Sequence, residues 1–338
     1  MPTKTRVAWV DSARGFGILA VVVSHVISGH PVAKWMFTFH VPLFFFLSGF
    51  VFRAEKPFGG FFKGKCRGLL LPYVTLAIPM ILCEGYLTTV RGNSIWPRVF
   101  YLAGQVATQR RMWTLWYLAC LFFLELGAWF LVRRVQKPAV LAAAGAMLGA
   151  IGVAYGTLGG PALPWNLDLC FSALPFFLGG YLLRGRGKQI QKFACSRKGV
   201  LAFFALGAVN LASGAPGILG KTAVLDLFSS QYGIAPLSFL AAFAGIGAVV
   251  VVSCWVQWKP VTYLGQNSLV YFAWHQNPVM TAISVWFPKW GIQVSNFSSS
   301  AAMWGEKLLE ICTILLVLSM CSWLLNRRRL RWLLGKRG

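Results

Sequence analysis

Acidic residues are scarce in this chain: only 8 of its 338 residues are Asp or Glu, against 32 that are Lys or Arg. Charged residues make up 12% of the sequence, well below the roughly 25% of a soluble domain. Hydrophobic residues make up 57%, and the mean hydropathy is +0.64. Apolar runs long enough to cross a bilayer recur from end to end. The composition therefore excludes an ordinary soluble domain and predicts an all-α integral membrane protein.

Metal and disulfide motifs are also missing. The eight cysteines include no C-x-x-C pair, and the four histidines show no ligand spacing, so we expect reduced packing thiols and no metal site. The net charge of +24 does not indicate a nucleic-acid partner, because the basic residues form short clusters between the apolar runs. This distribution is typical of the charges that orient membrane helices.

The sequence predicts about ten transmembrane helices in a single domain, 1–338. Assigning the basic clusters to alternate junctions places 23 of the 32 basic residues on the cytoplasmic side and eight outside, with Arg14 in the membrane. Both termini are then cytoplasmic. The predicted spans are 7–28, 36–52, 69–89, 112–132, 138–156, 167–183, 199–214, 234–256, 262–287 and 305–325.

The first span carries an acid, a guanidinium and an imidazole. Helical periodicity returns His25 to within about 20° of the face of Arg14, roughly 16 Å farther along the axis, and Asp11 lies one turn below Arg14. Polar side chains in hydrocarbon normally face a bundle interior or a wet cavity, so this face predicts a lined passage. One alternative is a structural Asp11–Arg14 pair beside a packed histidine. The other is a signal peptide after Lys4 and Arg6, but no small-x-small cleavage site follows.

Other polar residues are placed by the predicted topology. His40 begins the second span and can meet His25, because a short connection makes antiparallel neighbours. Lys63, Lys65 and Arg67 come close to the mouth below Arg14. Their charges either set the topology alone or also attract a phosphorylated ligand.

Three further regions supply candidate residues for binding a substrate. Trp116 begins the fourth span in a segment typical of an interfacial aromatic belt. Asp168 is either a helix cap or a ligand to sugar hydroxyls. Ser268, Tyr271 and His275 share a face of the ninth span. A second intramembrane histidine on a polar face favours a common cavity with the first span.

Several segments together resemble the acyltransferase-3 family of membrane O-acyltransferases, which includes sugar and polysaccharide O-acetyltransferases. The resemblance covers nearly the whole chain. It rests on Asp11-x-x-Arg14-Gly15 with His25, on 40–49 (HVPLFFFLSG), on the basic segment before 70–73 (LLPY), on 115–118 (LWYL), on 175–180 (PFFLGG), and on Gly265-x-Asn267-Ser268 leading to His275.

The resemblance implies an acyl-CoA donor, acetyl-CoA above all, and a hydroxyl acceptor on a sugar, a lipid-linked glycan or a cell-surface polysaccharide. Arg14 and the basic cluster of Lys63, Lys65 and Arg67 would hold the phosphates of CoA. His25 would be the general base, with Asp11 orienting Arg14. His40 and Tyr271 are the candidates for stabilising the oxyanion.

The family resemblance also implies a multi-pass protein of the bacterial plasma (inner) membrane, with the lipid bilayer, acyl-CoA and a glycan acceptor as partners. A different class remains open, because intramembrane Arg and His also build the pathways of transporters and flippases. A non-catalytic membrane partner is a third interpretation, but it leaves the polar face of the first span unexplained.

Overall fold

The computed structural model describes residues 7–90, 92–291 and 301–336. Four basic residues that enter the predicted topology lie outside the described residues: Lys4, Arg6, Arg91 and Arg337. Helices account for 79% of the chain, and no strand occurs within the described ranges. The prediction of an all-helical protein is confirmed.

The helices are numbered in chain order. They are α1 (Ala8–Val26), α2 (Pro31–Phe37), α3 (His40–Phe50), α4 (Phe58–Lys65), α5 (Leu71–Val90), α6 (Ile95–Thr108), α7 (Trp116–Arg134), α8 (Pro138–Thr157), α9 (Leu167–Leu182), α10 (Gly187–Ala194), α11 (Arg197–Ile218), α12 (Ala235–Trp255), α13 (Lys259–Gln266), α14 (Ser268–Trp274), α15 (Thr281–Trp286) and α16 (Ala301–Leu325). Short π-helical turns occupy Cys66–Leu70 and His275–Met280, and 3₁₀ turns occupy Pro164–Asn166, Pro288–Trp290 and Arg331–Leu334.

Seven helical stretches of the described chain are long and apolar enough to cross a membrane, or eight if one pair bent by 86° counts as a span. The bent pair is Pro164–Leu182 with Gly187–Ala194. The seven are Pro31–Phe50, Phe58–Val90, Trp116–Arg134, Pro138–Thr157, Arg197–Ile218, Ala235–Trp255 and Met303–Leu325. The protein is therefore a multi-span helical membrane protein, while the count of ten and the orientation of the termini stay predictions.

Three of the ten predicted spans are not among the seven stretches: 167–183, which belongs to the bent pair, 7–28 and 262–287. Helix α1 has 19 residues, but its polar side chains lower its mean hydropathy. The predicted span 262–287 is divided into α13, α14, a π-helical turn and α15, each too short to cross a bilayer alone. Helix α1 and the divided segment each carry some of the candidate site residues, Asp11, Arg14 and His25 in the first and Ser268, Tyr271 and His275 in the second.

Helix α1 is surrounded by protein. Thirteen of its 19 residues are buried, and it packs against α2, α3, α12, α13, α14 and α16. By contrast, only 17% of the most apolar part of α11 is buried inside the protein. The polar residues of α1 therefore face other helices rather than lipid, as expected for intramembrane charges.

Two glycines allow α1 and α13 to approach closely. A Cβ atom on Gly15 would overlap the backbone carbonyl of Val261, and one on Gly265 would overlap that of Asp11. Small residues at such contacts let helix backbones meet directly in a membrane. Two segments that are far apart in the sequence, around Asp11 and around Gly265, thus form one rigid contact beneath the site.

Candidate active site

Three histidine side chains meet at the C-terminal end of α1. The ring centroid of His25 lies 4.9 Å from that of His275 and 6.3 Å from that of His40. His40 and His275 each expose only 1% of their surface. The predicted proximity of His25 to His40 is confirmed, and His275 lies beside His25 as expected for the ninth span next to the first. We call these residues the histidine cluster.

The backbone fixes which nitrogen of each imidazole carries hydrogen. The Nδ1 atom lies near a carbonyl oxygen of the preceding helical turn, at 2.7 Å in His25, 2.8 Å in His40, and 3.0 and 3.1 Å in His275. Since a carbonyl oxygen only accepts, each Nδ1 donates. A neutral imidazole then has its lone pair on Nε2. The cluster therefore presents unprotonated Nε2 atoms, which can accept a proton or a hydrogen bond.

His275 is placed by an interruption of its helix. Asn277 has non-helical backbone angles of −118° and 119°, and Pro278 has no N–H to continue the helical bonding. The carbonyl of Ala273 instead accepts a 2.6 Å hydrogen bond from the Thr114 hydroxyl. The predicted span over 262–287 is therefore not one continuous helix, and its crossing of the membrane stays a prediction.

An aromatic layer lies beside the histidine cluster on the side nearer Arg14. The Phe272 ring lies 6.3 Å from the His275 ring and 5.0 Å from that of Tyr117. Phe44 lies 5.8 Å from Phe272 and completes the layer. The Tyr117 hydroxyl is 3.1 Å from the Ser48 hydroxyl, which lines the cleft described next. The aromatic layer of Phe44, Tyr117 and Phe272 thus extends from the His275 ring to the lining of that cleft.

A cleft of about 1700 Å³ opens beside the N-terminal half of α1, and we call it the basic cleft. Its ionisable lining is mostly positive, which suits a polyanionic ligand. The lining includes six basic side chains, Arg14, Arg53, Lys56, Lys65, Arg184 and Lys188, and three acidic ones, Asp11, Glu55 and Glu125.

The three predicted phosphate-binding residues outside α1 take different positions. Lys65 lines the basic cleft, and its ammonium lies 2.6 Å from the buried carboxylate of Glu125. Lys63 is exposed on α4 and is not part of the lining. Arg67 donates instead to the backbone carbonyl of Lys336, at 3.2 Å. Of the three, Lys65 shares the cleft with Arg14.

Asp11 and Arg14 both line the cleft, one helical turn apart. Asp11 is 4% exposed, and one carboxylate oxygen lies 3.5 Å from the amide nitrogen of Gln266 on α13. His25 lies eleven residues after Arg14, which is about 16 Å along the helix axis. A ligand held at Arg14 must therefore be long in order to reach the histidine cluster.

Two predicted substrate-binding residues are engaged by other protein groups. Asp168 lies 2.5 Å from the guanidinium of Arg111 and also accepts the Leu163 N–H at 3.1 Å. Trp116 is 5% exposed and packs 5.8 Å from the Phe228 ring. Their role in binding an acceptor stays a prediction.

The predicted face of Ser268, Tyr271 and His275 is not kept together. The Tyr271 hydroxyl lies 2.6 Å from that of Ser319 on α16, whereas His275 packs against His25. Ser268 is half-buried at the start of α14. Only His275 of these three is in contact with another histidine of the cluster.

Two acidic residues near the site were not predicted from the sequence. Asp226, in the segment between α11 and α12, is close enough to act electrostatically on His25. No local pattern could have indicated this, because the segment reaches α1 only through tertiary packing. Glu84 on α5 accepts from Arg98 at 2.8 Å and from the Asn277 amide at 3.2 Å. Glu84 thereby connects α5 to the interrupted helix. An acidic residue inside an apolar run of the sequence could have indicated its importance.

The geometry defines a class of protein: a multi-span helical membrane protein with a basic cleft at one end of its central helix and imidazole bases at the other. Among the described residues, no group of three or more His, Cys, Asp or Glu side chains is arranged to hold a metal ion.

A family model described as an acyltransferase domain, Acyl_transf_3, matches residues 7–327. The chain belongs to this family, and acyl transfer is therefore its broad activity. Neither a curated protein nor a solved structure matches the chain. The family membership favours an enzyme over the transporter or flippase that the intramembrane charges alone left open.

Proposed function

We propose that this protein is a membrane O-acyltransferase that moves an acyl group, acetyl in the simplest case, from acyl-CoA to a hydroxyl of a sugar or glycan. The observation that carries the proposal is the arrangement along α1. Arg14 lines a cleft suited to a polyanion, and His25 offers an unprotonated Nε2 about 16 Å away. A donor that has phosphates at one end and a reactive thioester at the other fits this separation.

Arg14 and Lys65 hold the phosphates of the donor in the basic cleft. A guanidinium forms paired, charge-assisted hydrogen bonds to phosphate, and a lysine adds a point charge. Asp11 keeps Arg14 oriented, while Glu125 keeps Lys65 beside the cleft through their 2.6 Å contact. The aromatic layer flanks the pantetheine arm on its way to the histidines.

His25 is the general base. Its Nε2 removes the proton of the acceptor hydroxyl while that oxygen attacks the thioester carbon. The new C–O bond forms, the C–S bond breaks, and the proton held by His25 passes to the departing thiolate of CoA. Asp226 lies within electrostatic range and stabilises the imidazolium that forms. Of the two candidates for the oxyanion, His40 remains beside His25, whereas the Tyr271 hydroxyl is bonded to Ser319.

The proposed orientation places the basic cleft in the cytoplasm, where acyl-CoA is made, and the histidine cluster toward the outer face of the plasma membrane. The excess of basic residues on the side of the cleft supports it. Fusions of alkaline phosphatase and of a fluorescent protein to the C-terminus test this orientation. Fluorescence without phosphatase activity is expected. Phosphatase activity would place the C-terminus outside and contradict the proposed topology.

Purified protein in detergent, incubated with acetyl-labelled acetyl-CoA, tests the proposed activity. We expect slow release of labelled acetate and transfer of label to added glycan or alcohol. Both should fall by about 10²–10⁴-fold in His25→Gln, which cannot accept a proton at neutral pH. Binding of CoA without turnover under any of these conditions would contradict the proposal.

A further inference from the structure

One imidazole nitrogen of the histidine cluster lacks a partner. The Nε2 atom of His275 is fully buried and has no hydrogen-bond partner, although the Nδ1 atom of the same ring is bonded to backbone carbonyls. A buried acceptor without a donor is unfavourable unless a ligand or an ordered water satisfies it. Because the ring already donates through Nδ1, Nε2 can only accept. The missing partner must therefore be an O–H or N–H donor.

A second orphaned acceptor lies two residues farther along the same interrupted helix. The side-chain carbonyl oxygen of Asn277 is buried without a partner, and the amide nitrogen of the same side chain donates to Glu84 at 3.2 Å. The contact with Glu84 fixes which end of the amide is the oxygen. The turn His275–Met280 therefore leaves two buried acceptors open, which suits a ligand that has several hydroxyl groups.

One hydroxyl cannot satisfy both histidines. His25 and His275 lie 4.9 Å apart between ring centroids, and the Nε2 atoms of both are unprotonated. A reacting hydroxyl has one hydrogen, which His25 removes in the proposed function. His275 then needs a different donor close to the reacting hydroxyl. A second hydroxyl on the carbon next to the reacting one meets this need.

We infer that His275 is a specificity-determining residue whose Nε2 accepts a hydrogen bond from a second hydroxyl of the acceptor, so that the enzyme selects vicinal diols over isolated alcohols. The inference rests on the proposed function and deepens it. His25 deprotonates the hydroxyl that becomes the ester, and His275 binds the unreacted hydroxyl on the next carbon. A preference of up to about tenfold is expected, which corresponds to ~1.4 kcal/mol.

Two small alcohols that differ by one hydroxyl provide the test. Purified full-length protein is given acetyl-labelled acetyl-CoA with 1,2-propanediol or 1-propanol at equal concentration, and labelled ester is measured against labelled acetate released by hydrolysis. The wild-type protein should favour the diol up to about tenfold. In His275→Phe the preference should fall to about one, while transfer to 1-propanol continues. In His275→Gln, which places a carbonyl acceptor near the same position, the preference should be largely kept.

Binding of CoA and thermal unfolding of each variant show that it is folded, and His30→Gln, a histidine outside the cluster, serves as the matched control. Equal use of both alcohols by the wild-type protein would overturn the inference. So would a His275→Phe variant that loses both ester products and hydrolysis in the same proportion, because that result indicates a shared proton rather than a hydroxyl contact. Absence of any acetyl-CoA turnover would instead contradict the proposed function on which the inference rests.

Discussion

The two ends of α1 bring functional groups together in opposite ways. The basic cleft is open, holds about 1700 Å³, and is lined by six cationic and three anionic side chains. The histidine cluster is closed, and two of its three members expose 1% of their surface. Its imidazoles are oriented by backbone carbonyls and packed against aromatic rings.

In the proposed function the basic cleft binds its ligand through charge, whereas the histidine cluster acts through the fixed positions of its imidazoles. Several cations in the basic cleft attract the same ligand, so the loss of one weakens its binding without abolishing it. In the histidine cluster each imidazole has one orientation and one available nitrogen, so no neighbour replaces it. Substitutions at the two ends should therefore affect different kinetic constants.

His25→Gln gives the largest effect that this comparison predicts. A positioned general base contributes about 10²–10⁴-fold to a rate, and glutamine cannot take the proton at neutral pH. The value of kcat for acetyl transfer should fall within that range, while CoA binding measured by calorimetry stays unchanged. Near-normal transfer by this variant would make His25 a packing residue and leave His40 as the next candidate.

Arg14→Lys should affect the opposite end. The substitution keeps the charge but loses the planar fork that binds phosphate in two places. We expect CoA to bind about ten- to a hundredfold more weakly, as for loss of a charged hydrogen bond, with a smaller change in kcat at saturating donor. Arg110→Lys, an exposed arginine outside the cleft, is the matched control. Unchanged CoA binding together with lower thermal stability would support the structural Asp11–Arg14 pair instead.

The fold could be predicted where the signal lies within one helix. Hydropathy and the scarcity of charge indicated the all-helical membrane class, and the 100° step per residue placed Arg14 and His25 on one face. The fold could not be predicted where contacts between helices distant in the sequence determine the local structure. Pro278 marks the interruption after His275 in the sequence, but nothing there indicates that the Thr114 hydroxyl, just before α7, donates to the Ala273 carbonyl beside it.

The candidate site shows the same division. Lys63, Lys65 and Arg67 are close in sequence, but the fold turns only Lys65 into the basic cleft. Lys63 and Lys65 point to nearly opposite sides of α4, and Arg67 lies beyond them in the π-helical turn Cys66–Leu70. Asp226 could not be found at all, since nothing in its own segment relates it to α1.

Salt should distinguish the two ends of α1 with no substitution at all. The Debye length shrinks from about 10 Å at 0.1 M to about 3 Å at 1 M, so contacts between an open cleft and phosphates weaken. The KM for acetyl-CoA should rise several-fold between these concentrations, while kcat stays nearly constant. Acetyl-N-acetylcysteamine, a thioester that lacks the nucleotide, is the control and should show no such rise. Equal salt dependence for both donors would mean that the cleft does not bind the phosphates.

Asp226→Asn should have the smallest effect, because it acts on the histidine cluster through charge rather than through contact. Asp226 is half-buried, and its carboxylate accepts the Phe228 N–H at 3.0 Å, a bond that asparagine can keep. The substitution removes only the negative charge that stabilises the His25 imidazolium. A fall of a few-fold in kcat is expected, because solvent screens a partly exposed charge. Glu306→Gln, a half-buried acid on α16, is the control and should leave kcat unchanged. If both variants keep full activity, the segment between α11 and α12 does not contribute electrostatically to proton transfer, and the chemistry belongs to the imidazoles alone.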